Sequence, residues 1–261
     1  MPDPTPPAPT LLETTQPDHP GPNRGTGDGT AEDWAVVFDL DGTLVDSSHD
    51  ITRAVNAMLA GHDLPGLAPT QVEPLLGEGA RSLVDAVYAI LGVEVGPDRL
   101  TEDTATYLAR YAEEPVRDSV LFADARAVLD VLGRRGVALG VCTNKNHDLA
   151  VRVLTELGVD HVFGAVVGGD SLPVRKPDPE HLLATVAALG AAPERTVFVG
   201  DSRIDAECGR RAGVTTALVD WGVPDADCPR LDSFAAVLGM LPGTRRSPAG
   251  PLAPTSRKDR T

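Results

Sequence analysis

Two acids spaced one residue apart, Asp39 and Asp41, close the apolar run Ala35-Val36-Val37-Phe38. Successive side chains of a strand point to opposite faces, so both acids leave on one face while Leu40 turns away. Such a pair can divide labour, one ionised as nucleophile or metal ligand, the other held partly protonated as acid and base. Gly42 then lets the chain turn sharply. Three later segments also set reactive types at the ends of apolar runs. In Cys142-Thr143-Asn144-Lys145 the Thr143 hydroxyl and nearby backbone N–H groups suit a phosphate oxygen, or a strand-to-helix cap. Between Gly168 and Pro179 three prolines stiffen a loop bearing Arg175 and Lys176, and the Lys-Pro context favours Lys176 as a pre-positioned cation. In Val199-Gly200-Asp201-Ser202-Arg203-Ile204-Asp205 one acid follows the apolar run directly and a second comes four residues later. Mg²⁺ accepts hard oxygen ligands from a few carboxylates, water and phosphate. Asp205 alternatively suits a helix N-terminus, where the dipole favours an acid.

The elements that must position these groups show in the alternation of β-branched runs with amphipathic stretches. Strands are expected at Ala35 to Phe38, Val137 to Cys142, Ala165 to Val167, Thr196 to Val199 and Thr215 to Val219. That rhythm indicates an α/β fold, a Rossmann-like parallel sheet with helices on both faces, whose ligands sit beyond the carboxyl ends of the strands. Residues 48–118 break the rhythm. Ile51, Val55, Met58 and Leu59 form one apolar stripe, Leu83, Val84, Val87, Ile90 and Leu91 a second, and Leu100, Tyr107, Leu108 and Tyr111 a third. This stretch is expected to be an inserted helical cap domain, with residues 33–47 and 119–241 forming the α/β core domain. Residues 1–32 and 242–261, rich in Pro, Gly, Ser and Thr, read as disordered tails.

At 261 residues with 42% hydrophobic content the chain can bury a substantial core. A formal net charge of -15 argues against nucleic acid or an anionic membrane as partner. It also gives no long-range attraction for a phosphorylated substrate, so any anion site must be built locally. No apolar run reaches the length of a membrane span and no secretory signal is evident, which implies a cytoplasmic location. Cys142, Cys208 and Cys228 are too few and too scattered for a disulfide framework and read as reduced thiols.

The run Asp39-Leu40-Asp41-Gly42-Thr43-Leu44-Val45-Asp46-Ser47 resembles the signature of the haloacid dehalogenase-like hydrolases. The three later segments resemble that family's other motifs in the same order, and the cap position matches one of its subclasses. The resemblance implies a phosphatase in which Asp39 attacks phosphorus to form an aspartyl-phosphate. Asp41 then protonates the leaving oxygen and later activates water. Thr143 would bond the transferring phosphoryl group, with Thr43 and Asn144 also in contact with substrate, and Lys176 would pair with Asp39 and the phosphoryl oxygens. The cofactor it implies is Mg²⁺, held by Asp39, the backbone carbonyl of Asp41 and Asp201, with Asp205 in support.

Within that family the wording looks closest to bacterial phosphoglycolate phosphatases. It departs from them at Val120-Leu121-Phe122-Ala123-Asp124-Ala125, where a Pro-Gly-Val turn is usual, and at Asp220-Trp221-Gly222, where Tyr-Gly-Tyr is usual. The implied partner is a small phosphorylated metabolite, 2-phosphoglycolate first, and the chain would be a monomer or homodimer. The alternatives are another substrate, such as a sugar phosphate, a nucleotide or pyrophosphate, a sugar-phosphate mutase reaction, and phosphate binding without catalysis. In the cap, Gly77-Glu78-Gly79-Ala80-Arg81 forms a turn into a helix. Arg81 is placed to take the substrate carboxylate by a bidentate pair, or is an ordinary helix-start arginine facing solvent or Asp85.

Overall fold

The computed structural model describes residues 33–242; the expected tails, apart from Pro242, lie outside the described residues. The strands are β1 (Ala35–Phe38), β2 (Val45–Asp46), β3 (Val120–Leu121), β4 (Ala138–Cys142), β5 (Ala165–Val167), β6 (Thr196–Gly200), β7 (Thr215–Val219) and β8 (Arg230–Leu231). The first four helices are α1 (Ser48–Ala60), α2 (Pro69–Val72), α3 (Ala80–Leu91) and α4 (Pro97–Glu113). The remaining four are α5 (Ala125–Arg134), α6 (His147–Glu156), α7 (Pro179–Ala188) and α8 (Arg203–Ala212).

Six strands form one parallel sheet in the order β5-β4-β1-β6-β7-β8. Both faces are covered, as the continuous apolar strands require. Val36 and Phe38 of β1 join a core with Val141, Val199, Leu129 and Phe234, while Val37 turns to the opposite core with Phe198, Leu182 and Cys208. From β1 the chain builds outward through β4 and β5, then crosses to β6 on the other side. The crevice between such divergent connections opens at the carboxyl end of β1, which ends immediately before Asp39.

The insertion is helical, and its stripes are buried as the periodicity predicts except at Leu91 and Leu108, which are half-buried, and at Ile90. Leu83, Val84 and Val87 are buried, but Ile90 is 45% exposed because it lies past the edge of the face α3 gives to α4. Tyr88 and His62 converge on the buried Asp103 of α4, at 2.6 and 2.5 Å, and tie the helices of the insertion together. The chain leaves and re-enters the sheet layer through a two-stranded antiparallel ribbon, β2 with β3.

Asp50, fully buried in the first turn of α1, fastens that junction. Its Oδ2 accepts from the backbone N–H groups of Arg117, Asp118 and Ser119 at 3.1, 3.0 and 2.8 Å, and from Ser119 Oγ at 2.6 Å. Burial pushes the Asp50 carboxyl up, but the bonds from Ser119, Arg53 and the backbone outweigh it and hold the group below its ordinary 3.8. A carboxyl depressed on folding contributes stability that is present above its unfolded value and lost as pH falls through the folded one. Asp50→Ala is expected to cost about 2–4 kcal/mol, because it strands buried donors. Urea unfolding at pH 7 checks this, and the deficit against the parent protein should shrink below about pH 4.

Candidate active site

Four strand ends deliver the reactive groups to one crevice. Asp39 follows β1, Thr143 follows β4, Lys176 lies in the loop after β5, and Asp201 follows β6. At their centre the buried Lys176 ammonium sits 2.8 Å from Asp39 Oδ1 and 2.7 Å from Asp205 Oδ1. Carboxylate oxygens of Asp39, Asp201 and Asp205 all lie within 4.8 Å of one another. Three acids, Asp39 and Asp205 buried and Asp201 half-buried, against one ammonium leave a deficit of positive charge. Burial pushes the Asp39 carboxyl up, Lys176 pulls it down and Asp205 pushes it up again, for a net rise to about 6. Asp201 is also raised, by burial and then by the Asp205 and Asp39 charges. Hard oxygen donors crowded at this spacing suit Mg²⁺, whose charge would favour their ionised forms.

Neighbouring residues fix the cluster rather than adding charge to it. Asp205 is wholly committed: Oδ1 holds Lys176, and Oδ2 accepts from Ser202 Oγ at 2.6 Å and from the N–H groups of Ser202 and Asp201. It closes a capping box at the start of α8, so the two readings of Asp205, helix cap and support of the acid cluster, coincide. Thr43 Oγ1 donates to Asp201 Oδ1 at 3.1 Å and thereby orients that carboxylate. Asn144 donates through Nδ2 to the carbonyls of Gly77 and Lys176 at 2.8 and 3.0 Å, stitching the insertion to the Lys176 loop. Gly42, at φ +82, brings the backbone against Asp201: a Cβ there would meet Asp201 Oδ2 at 2.5 Å. The Gly42 carbonyl accepts from Trp221 Nε1 at 2.9 Å, and Trp221 stacks on Phe122 at 4.8 Å between centroids. Both departures from the usual wording thus meet in one contact behind the acid loop.

In front of the acids lies a cleft of about 500 Å³ including its mouth. Asp39, Asp41, Thr143, Asn144 and Lys145 form its sheet-side wall, and Leu76, Gly79, Leu83, Tyr107 and Tyr111 of the insertion form the other. The Asp41 carboxylate accepts from Ser47 Oγ at 2.6 Å and from Lys145 Nζ at 3.1 and 3.0 Å. Sequence reasoning quoted Lys145 without giving it a role and missed Ser47, Tyr107 and Tyr111 as site residues. The available signal for Lys145 was its place two residues beyond Thr143. Arg81 is not brought to the cleft. It is exposed and donates to Thr101 Oγ1 at 2.8 Å on α4, because Gly79, at φ +88, starts α3 with Ala80 rather than Arg81 against the cavity.

The family model of the haloacid dehalogenase-like hydrolases matches residues 36–219, and the chain belongs to that family. Its particular relatives include the phosphoglycolate phosphatase of Rhodospirillum rubrum, 41% identical over 194 residues, which cover 72% of this chain and 80% of the relative. The phosphoglycolate phosphatase of Caulobacter vibrioides is 40% identical over 210 residues, 79% of this chain and 87% of the relative. Among solved structures, a predicted phosphoglycolate phosphatase from Haemophilus somnus 129pt superposes with a TM-score of 0.73 at 30% identity, covering 81% of this chain and 99% of that one. Among the described residues no helix is long and apolar enough to cross a membrane.

Proposed function

We propose that the chain is a Mg²⁺-dependent phosphomonoesterase that hydrolyses 2-phosphoglycolate to glycolate and phosphate through an aspartyl-phosphate on Asp39. The observation that carries this reading is the Asp39 carboxylate, which lines the cleft on one side and meets the Lys176 ammonium at 2.8 Å on the other. Names of relatives at about 40% identity supply the substrate.

Asp39 attacks phosphorus as the ester P–O bond breaks, and Asp41, facing the same cleft, gives a proton to the departing glycolate oxygen. Asp41 then takes a proton from the water that cleaves the phosphoryl–Asp39 bond, restoring both acids. Ser47 and Lys145 hold the Asp41 carboxylate in place for both transfers. Lys176 moderates repulsion between the Asp39 anion and an incoming phosphate, and Thr143 bonds the transferring group. Asp39 and Asp201, with the backbone carbonyl of Asp41, would hold Mg²⁺, which supplies positive charge against the phosphoryl oxygens. The insertion excludes water from the cleft.

Phosphate release from a panel of monoesters led by 2-phosphoglycolate tests the reading. Strong preference for that ester supports it, and turnover only of other esters removes the substrate assignment. A second variant tests the metal site. Gly42→Ala forces a Cβ onto Asp201, so it is expected to weaken Mg²⁺ affinity by about 10–100-fold, read by calorimetric titration.

A further inference from the structure

We infer that Lys145 is the residue that selects substrates with a carboxylate on the leaving group, an assignment that rests on the proposed reaction. Of the residues lining the cleft, Lys145 alone is cationic. Lys176 stands behind Asp39, engaged by two carboxylates, and the arginines nearest the insertion turn lie outside the cleft lining: Arg81 donates to Thr101 Oγ1, and Arg175, next to Gly79, donates to Ser82 Oγ. A dianionic phosphate next to Asp39 therefore leaves a second anionic group on the same small molecule with one ammonium to meet.

The setting of Lys145 fits that use. Its side chain is 6% exposed, in a place where an ammonium needs partners. An ammonium offers three N–H donors. Two contacts run to the Asp41 oxygens, and the remaining face of the group lies 4.1 Å from the centroid of the Tyr111 ring. A ring face is a weaker partner than a carboxylate, so this side of the ammonium is open to exchange without breaking the Asp41 bridge. Tyr111 and Asn144 line the same cleft, and the Tyr111 hydroxyl and Asn144 Oδ1 are buried with no hydrogen-bond partner among the described residues. Each such atom calls for a partner, whether water, an ion or a ligand. On the insertion wall Leu76, Leu83 and Leu108 are apolar, and Tyr107, Gly79 and Ala80 offer a hydroxyl and backbone N–H groups but no charge. The charge that meets a leaving-group carboxylate therefore comes from the sheet side, from the loop that also carries Thr143.

The test compares 2-phosphoglycolate with 2-hydroxyethyl phosphate, the same skeleton with an alcohol in place of the carboxylate, in the Mg²⁺-loaded full chain and its Lys145→Met and Lys145→Gln variants. The parent protein should prefer the carboxylate ester, and the ratio of the two kcat/KM values should fall by about 10–100-fold in both variants. A lysine that only steadies Asp41 would lower both rates together, and an unchanged ratio overturns the assignment. Binding of the non-hydrolysable 3-phosphonopropionate against propylphosphonate, by calorimetry, separates this assignment from the reaction itself. Loss of carboxylate preference in the variants supports Lys145 even if the parent protein fails to hydrolyse 2-phosphoglycolate. Preference kept in the variants of an enzyme that does hydrolyse it removes Lys145 alone.

Discussion

Asp39→Asn is expected to lower kcat for 2-phosphoglycolate by at least about 10⁴-fold, because an amide cannot displace a phosphate ester oxygen and no other cleft residue replaces it. Asp41 is the nearest alternative acid, but Ser47 and Lys145 engage its carboxylate. The fold should survive. The substitution removes one acid from a cluster of three that holds a single ammonium, and Lys176 keeps Asp205 at 2.7 Å. The melting temperature is therefore expected to hold or rise while turnover disappears, which separates loss of chemistry from loss of structure. A variant with substantial residual turnover would mean that water attacks phosphorus directly and that Asp39 only supports the metal.

Lys176→Met is expected to lose both activity and stability. The ammonium is 1% exposed and contacts two carboxylates, so its removal leaves buried anions uncompensated, at a cost of about 3–5 kcal/mol. Burial alone would lower its pKa, yet the Asp205 and Asp39 charges hold it far above the ordinary value, so the group stays cationic at neutral pH. Stability from a group raised on folding is complete below its unfolded pKa of 10.5 and is lost only as pH rises beyond it. The deficit of the variant should therefore be constant across neutral pH. Combining Lys176→Met with Asp39→Asn removes a cation together with one of its anions. The double variant should recover about 1–3 kcal/mol of the single-variant loss, and simple additivity in urea unfolding would show that the pair is not energetically coupled. Saturating Mg²⁺ should also narrow the deficit, since a bound cation substitutes for part of the missing charge.

Much of this arrangement was legible before any coordinates, for a physical reason. A parallel strand buried on both faces needs an unbroken apolar run, and the residue that follows it must lie at the mouth of the crevice. That rule gave Asp39, Thr143 and Asp201 their places at the crevice, while their roles came from the resemblance to the hydrolase family. The two-residue strands β2, β3 and β8 were not, because pairing that short leaves no periodicity to detect. Charge was the harder matter. Sequence put the substrate carboxylate at Arg81 and gave Lys145 no role. Gly79 turns α3 so that Arg81 meets Thr101, and β4 carries Lys145 to Asp41. Asp205 illustrates the same limit from the other side. A helix-start acid and an acid supporting the metal site were alternatives in sequence, whereas the one carboxylate caps α8 through Oδ2 and meets Lys176 through Oδ1.

The most direct test of the central claim is a rapid acid quench of the Mg²⁺-loaded protein with 2-phosphoglycolate carrying ³²P, followed by borohydride reduction and peptide mass analysis. Transient protein-bound label and reduction of Asp39 to homoserine are expected, with no such mark at Asp41. Steady release of phosphate with no label on the protein at any time would contradict it, since the phosphoryl group would then pass to water without ever resting on Asp39.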